Sequence, residues 1–565
     1  MNDTRTIAYF SMEIGVHPEV PTYSGGLGML AGDTIRSAAD AGVPMVAVSL
    51  LYRDGYFHQR LDASGWQSEQ AVRWSVDDFL TEEPAARAEV TIEGRTVHLR
   101  AWRFDVVGVD EATVPVYLLD SDLPENSEWD RAITRRLYGG DSHYRLCQEI
   151  VLGIGGVRML RSLGHSQLER FHMNEGHAAL LTVELLRETR DAAGRSEFQP
   201  ADFDQVRKSC VFTTHTPVPA GHDQFELAHA DRVLGDRAAW GISDNMCHDG
   251  RLNMTYLALS LSHYVNGVAK RHGEVSQHMF AEYRIDSITN GVHAATWVCP
   301  EFAGLFDRHI PGWTQDNFSL RYALSLSNDE VRAAHLAAKH RLIEFANRAT
   351  NGGLDVDVLT IGFARRVATY KRAGLIFDDI ERLQRISREV GRVQIVFSGK
   401  AHPRDENGKK LIQRIIGTAR SLSPDVAITF LPNYDMELGR LLTSGVDVWL
   451  NTPEPPLEAS GTSGMKAAMN GVPSLSILDG WWIEGCIENV TGWAIGTDTV
   501  ASGLPDNRLT DAASLYERLE NTIVPMFYNR RDQFADIMRH TVALNGSFFN
   551  TQRMVQQYAL KAWFE

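Results

Sequence analysis

Residues 356–366 read VDVLTIGFARR, and four similar runs follow: RVQIVFSGK (392–400), VAITFLP (426–432), VDVWLNT (446–452) and SLSIL (474–478). Each is short, apolar and rich in β-branched residues. Between them lie AGLIFDDIERLQRISREV (373–390) and NGKKLIQRIIGTARSL (407–422), with apolar residues at helical spacing. Strand and helix alternating at this pitch predict a parallel sheet covered by helices.

The first half repeats the theme. TIAYFSMEI (6–14) reads as a strand, SGGLG (24–28) as a turn, GMLAGDTIRSAADAG (28–42) as a helix and VPMVAVSLLY (43–52) as a second strand. That is a βαβ unit with glycines at its first turn. From about residue 66 to 119, runs such as AEVTIEG, TVHLRAWRF and VPVYLLD predict an antiparallel insertion. Residues 131–163 read as helical, SCVFTTH as a buried strand and SITNG as a short one. A polar helical stretch over 320–349 and the turn NGGLDVD place a domain boundary near 330. The expected domains are 1–330, with the β insertion, and 331–565. The last ~40 residues are expected to be helices packing back on the first domain.

The chain has 565 residues, too many for one ordinary core. Apolar residues at 44% and charged residues at 23% fit a soluble globular protein. The net charge of −16 argues against a general binder of nucleic acid or anionic membranes. Five scattered cysteines form no CxxC pair, so neither zinc nor a disulfide framework is indicated. Reduced thiols in a cytoplasmic setting are the simplest reading. The N-terminus MNDTRTIAYF lacks a signal-peptide pattern. No apolar run of ~18 residues predicts a membrane span.

One stretch carries chemistry: EASGTSGMKAAMNG, from Glu458 to Gly471. Small residues let main-chain N–H groups approach an anion, and a helix start adds positive partial charge. Lys466, held behind that turn, has the amine needed for an imine with a carbonyl cofactor. Alone, the stretch reads equally well as an ordinary turn with a solvated lysine. Gly25, Gly26 and Gly28 form a second anion-compatible turn. Arg365, Arg366, Lys371 and Arg372 follow a strand in a chain that is acidic overall, a compensation that phosphates would require. DGWWIE, residues 479–484, holds two tryptophans; core packing is the default, with a glucan-facing aromatic as the alternative.

The lysine stretch resembles the pyridoxal-phosphate motif of the glycogen/starch (α-glucan) phosphorylases. YSGGLGMLAGD, HMNEGHAAL, TTHTPVPAGH, VNGVAKRHGEV, TNGVHAATW, FARRVATYKRA and SGKAHP match the same family in the same order. The similarity runs from about Ala8 to Glu484. It implies an α/β fold of the GT-B type, two Rossmann-like domains with a cleft between them. It implies a cytoplasmic glycosyltransferase that converts an α-1,4-glucan (glycogen, starch or maltodextrin) and inorganic phosphate reversibly to a shorter glucan and glucose 1-phosphate, with retention. Pyridoxal 5′-phosphate is the implied cofactor, and no metal, nucleic acid or membrane is called for.

By the same resemblance, Lys466 carries the cofactor, while Thr462, Ser463, Gly26, Arg365 and Tyr434 surround it. Arg366 and Lys371 take the substrate phosphate. Gly26, Leu27, Asn174, His177, His215, Asn290, Glu458, Ser460 and Gly461 take the sugar, and Glu13 is a structural acid nearby. Glu175 replaces an aspartate of the animal enzymes, a conservative change. Ala368 stands where they carry a histidine and Asp435 where they carry an arginine, so the anion geometry is expected to differ. Two rivals remain: a nucleotide-sugar-dependent glucan synthase, which needs no cofactor lysine, and a non-catalytic glucan-binding relative. The animal enzymes carry a control segment before the first strand, so its regulation is expected to be missing here. The family is usually dimeric, and much of its dimer contact lies in that segment, which leaves the oligomeric state open.

Overall fold

The computed structural model describes residues 6–218, 221–243, 246–350, 352–496 and 507–564. Pro219 and Ala220 of the TTHTPVPAGH block lie outside the described residues. By its internal contacts the chain divides into two units. The first comprises Met1–Phe57, Ala71–Thr289 and Met554–Glu565; the second comprises His58–Gln70 and Asn290–Arg553.

The first unit is built on a ten-stranded sheet. Ile7–Ser11 pairs in parallel with Met45–Leu50 on one side and Arg170–Asn174 on the other. The helix Gly26–Asp40 joins the first two strands, as the βαβ reading requires. Side chains alternate between two cores. Ala8 and Phe10 enter one, with Val46 and Val48, while Ile7 and Tyr9 enter the other, with Met45 and Ala47. Both faces are covered, so the strands read as continuous apolar runs. Met554, Val555, Tyr558 and Trp563 pack into the second of these cores. Thus residues 554–565, and not the whole terminal stretch, group with the first unit.

The β insertion continues this sheet. Arg95–Val107 runs antiparallel to Thr113–Asp120, which lies parallel to Met45–Leu50. The hairpin of His58–Leu61 and Gln67–Gln70 belongs to the second unit instead. Its two glutamines satisfy main-chain groups of the SGKAHP loop: Gln59 Nε2 donates to Gly399 O at 2.9 Å, and Gln67 Oε1 accepts from Ala401 N at 3.0 Å.

Six parallel strands form the second sheet, in the order Ala427–Leu431, Val393–Ser398, Leu359–Ala364, Val448–Asn451, Ser474–Ile477, Gly492–Ile495. Residues 290–330, placed with the first domain on the sequence, group with this unit. Their 3₁₀ segment Asn317–Ser325 and helix Pro300–His309 lead into the helix Asn328–Thr350, and Asn317 N donates to Gln552 Oε1 at 2.8 Å.

Each sheet has a point where strand order reverses beside its first strand. In the first unit it lies between Ile7–Ser11 and Arg170–Asn174; in the second, between Leu359–Ala364 and Val448–Asn451. Ligands of open α/β sheets bind outside the carboxyl ends at such points. No helix among the described residues is long and apolar enough to cross a membrane.

Candidate active site

In the first unit, the strand ends at the reversal point gather several of the sequence candidates. Glu13 follows Ile7–Ser11 and fastens the glycine turn: its Oε2 accepts from Ser24 N at 2.6 Å and Gly25 N at 3.2 Å. Tyr138 donates to its Oε1 at 2.8 Å. The helix Gly26–Asp40 then starts without a side-chain cap, leaving main-chain donors at its N-terminus. A Cβ on Gly28 would stand 2.7 Å from Glu13 Oε2, whereas one on Gly26 would meet nothing within 4 Å among the described residues outside its own helix and chain neighbours. Packing therefore demands Gly28, and the space beside Gly26 stays open, with Leu27 next to it.

Asn174 ends its strand, and its Oδ1 lies 2.6 Å from His215 Nε2. Burial pulls the His215 imidazole down to about 4, so it is neutral near pH 7. Glu175 holds a φ of +81°, which a side chain adopts only under compensation. The compensation is three hydrogen bonds to its carboxylate, from Gly176 N at 3.0 Å, His215 N at 2.8 Å and Thr216 Oγ1 at 2.9 Å. His177 Nε2 lies 3.3 Å from Asp223 Oδ2. Asn174, Glu175, His177 and His215 thus form one polar cluster.

In the second unit, the cations that follow Leu359–Ala364 separate into different roles. Lys371 Nζ contacts both oxygens of Glu458, at 2.8 and 2.7 Å, and Arg365 Nη2 donates to Glu458 Oε2 at 2.7 Å. Arg365 also bonds the Asn451 side chain across the strand-order reversal. Burial alone would raise the Glu458 carboxyl; Arg365 and Lys371 instead pull it down to about 2. Burial and the Arg365 charge lower the Lys371 ammonium. Arg366 is exposed on the same loop. Arg372 serves the fold: it pairs with Asp511 at 2.7 Å and donates to the carbonyls of Thr452 and Pro453.

The lysine stretch forms the helix Thr462–Met469, preceded by Gly461 at φ +89°. Among the described residues no side chain caps that helix start. Lys466 is 6% exposed, and its Nζ sits 3.6 Å from the centroid of the Trp297 ring. Ser463 Oγ accepts from Trp449 Nε1 at 3.2 Å. Ser460 Oγ, Arg365 Nε and Asn290 Oδ1 are buried with no hydrogen-bond partner among the described residues. Buried polar atoms left so are costly unless a ligand meets them. An amine against an aromatic face, an uncapped helix start with two hydroxyls, and an orphaned guanidinium nitrogen fit an aromatic aldehyde phosphate.

Ala368 and Asp435, the two departures expected to alter the anion site, each stand at the start of a helical segment. Ala368 precedes the short 3₁₀ turn Thr369–Lys371. Asp435 caps the helix Met436–Gly445, accepting from Leu438 N at 2.9 Å. Tyr434, beside it, is pushed up to about 12 by burial. Trp481 and Trp482 are 2% and 0% exposed, so both are core residues. Trp481 backs the lysine helix: a Cβ on Gly464 would stand 2.8 Å from its ring. Three residues that carry the site were given no role on the sequence: Trp297, Tyr370, whose ring lies 4.5 Å from Lys371 Nζ, and Asp479, which binds Glu458 N at 2.8 Å. All three sit inside or beside the matched blocks, which was the available signal. Among the described residues no cluster of acids, histidines and cysteines could hold a metal.

The sequence profile described as carbohydrate phosphorylase matches residues 241–493. The chain is 40% identical to the maltodextrin phosphorylase of Thermococcus litoralis, over 98% of this chain and 70% of that protein. It is 40% identical to the glycogen phosphorylase of Mycobacterium tuberculosis over the same shares, and 36% identical to that of Aquifex aeolicus over 99% and 86%. With such relatives matched along nearly its whole length, and with the lysine helix and the paired cations at the strand ends where ligands bind, the chain belongs to the carbohydrate phosphorylase family.

Proposed function

We propose that the protein is an α-1,4-glucan phosphorylase, a cytoplasmic enzyme that reversibly transfers a terminal glucosyl unit to inorganic phosphate with retention. The observation that carries this is the union of Arg365 and Lys371 on Glu458, beside the helix that holds Lys466. Two cations suited to phosphate and one carboxylate suited to sugar hydroxyls meet at the reversal point of a parallel sheet.

In this reading Lys371 and Arg366 hold the substrate phosphate, an electrostatic task in a partly closed site. Glu458, Ser460, Gly461 and Asn290 hold sugar hydroxyls, as do Asn174, His177, His215 and the Gly26–Leu27 turn. His215 offers a neutral imidazole, which hydrogen-bonds a hydroxyl without competing as a charge. The substrate phosphate gives its proton to the glycosidic oxygen as the C1–O bond breaks. One of its oxygens then bonds C1 on the same face. Pyridoxal 5′-phosphate, when bound, would supply a second phosphate group as a proton buffer beside the first. Lys466 would anchor it, Trp297 would back it, and Arg365, Thr462, Ser463, Tyr434 and the Gly26 turn would hold its charge.

The test is release of glucose 1-phosphate from maltodextrin by purified protein in inorganic phosphate. Release that depends on phosphate supports the reading. A protein saturated with cofactor that releases none overturns it, and activity requiring a nucleotide sugar would favour a synthase.

A further inference from the structure

Asp479 follows the strand Ser474–Ile477 and is 1% exposed. Its Oδ2 accepts from Glu458 N at 2.8 Å and its Oδ1 from Gly480 N at 2.9 Å. The next residues complete a clamp on the same loop. Trp481 N donates to Ser460 O at 2.8 Å. Gly480 holds a φ of +55°, and a Cβ there would stand 2.4 Å from Ser460 O. The turn at 479–481 therefore holds the main chain of 458–460 by two hydrogen bonds and one close approach, just before the lysine helix. The charged groups facing Asp479 are Glu458 and Lys371. It forms no ion pair of its own among the described residues, so its charge is balanced only through that pair and two main-chain N–H groups.

We propose that Asp479 is a positioning residue for the phosphorolytic site. It fixes the Glu458 carboxylate through the Glu458 main-chain N–H. Its own charge sets how firmly Lys371 holds a phosphate-like anion. This rests on the reading of Lys371 and Glu458 given above. Burial and the neighbouring Glu458 charge push the Asp479 carboxyl up to about 7. Above that value it is ionised and adds negative charge beside Lys371, which weakens anion binding. Below it the carboxyl is neutral and Lys371 acts at full strength.

The experiment is calorimetric titration of the holoenzyme with inorganic sulfate from about pH 6 to about pH 8.5, in wild type, Asp479→Asn and Asp479→Ala. Sulfate stays a dianion over this range, so the profile reports the protein. Wild type should lose sulfate affinity several-fold as pH rises through about 7. Asp479→Asn, whose amide oxygen still accepts from Glu458 N, should keep the low-pH affinity throughout. Asp479→Ala should raise the glucan KM more than Asp479→Asn does, because it also loses that acceptor. Matching sulfate profiles in wild type and Asp479→Asn, or no sulfate binding at all, would overturn the assignment. If Asp479→Asn does not fold, a wild-type profile lacking the midpoint overturns it. A protein with the predicted sulfate profile that releases no glucose 1-phosphate would instead retire the phosphorolysis reading and leave Asp479 as an anion-tuning residue.

Discussion

Lys371 and Glu458 are joined twice in the buried part of the second unit, Nζ lying 2.8 Å from Oε1 and 2.7 Å from Oε2. Arg365 shares the second oxygen. One carboxylate thus balances two cations in a place where water does not, and removing it leaves both uncompensated.

Glu458→Gln should destabilise the protein by ~3–5 kcal/mol at neutral pH, the usual cost of breaking a buried pair from one side. The pH dependence has a fixed sign. The Glu458 carboxyl titrates at about 2 in the folded state, below its unfolded value of ~4.3. Its contribution is present above the unfolded value and is lost as pH falls through the folded one. The stability gap between wild type and Glu458→Gln, read from urea midpoints, should therefore narrow on acidification over that window. A gap that stays constant there would rule out the ionised pairing.

The three neighbouring cations should divide by phenotype. Lys371→Ala and Arg366→Ala should raise the KM for phosphate and for glucose 1-phosphate by ~tenfold or more, since charged hydrogen bonds are worth ~1.5–3 kcal/mol. Arg372→Ala should instead lower stability, because it removes the buried pair with Asp511 and the bonds to the Thr452 and Pro453 carbonyls. Steady-state kinetics and thermal melts on the three variants separate the two effects. Wild-type phosphate kinetics in both Lys371→Ala and Arg366→Ala would refute their assignment.

The glycine turn offers a sharper contrast. Gly28→Ala forces a Cβ to within 2.7 Å of Glu13 Oε2 and should lower the melting temperature. Gly26→Ala meets no atom of the described residues within 4 Å beyond its chain neighbours and own helix backbone, and should melt as wild type does. If main-chain N–H groups of the turn approach bound phosphate or sugar, Gly26→Ala should still lose activity. Full activity in a normally folded Gly26→Ala would remove the turn from the site.

The strands easiest to read were those buried on both faces. VDVLTIGFARR, RVQIVFSGK and VDVWLNT became the strands Leu359–Ala364, Val393–Ser398 and Val448–Asn451. Arg170–Asn174 and Tyr264–Gly267 were not read as strands, because their sequences are polar. Their side chains are satisfied sideways within the sheet: His172 Nε2 lies 2.8 Å from Thr213 Oγ1, and Asn266 Oδ1 accepts from Thr213 Oγ1 at 2.9 Å. No local pattern announces such lateral partners. The helix expected over 373–390 breaks into a 3₁₀ turn, the helix Ile380–Arg385 and a π turn. Motif order made Lys466, Glu458 and Lys371 legible as candidates. It could not show that Arg372 turns away to Asp511, or that Asp479 reaches back to Glu458 N, since both depend on chain segments far apart in sequence.

The central claim is that Lys466 carries pyridoxal phosphate, and peptide mapping tests it most directly. Protein reconstituted with excess pyridoxal phosphate, reduced with borohydride and digested should carry a stoichiometric phosphopyridoxyl group on the peptide containing Lys466. The Lys466→Arg variant should carry none there and release no glucose 1-phosphate. Saturated protein whose label is absent, or lies on other lysines with Lys466 unmodified, would contradict the account.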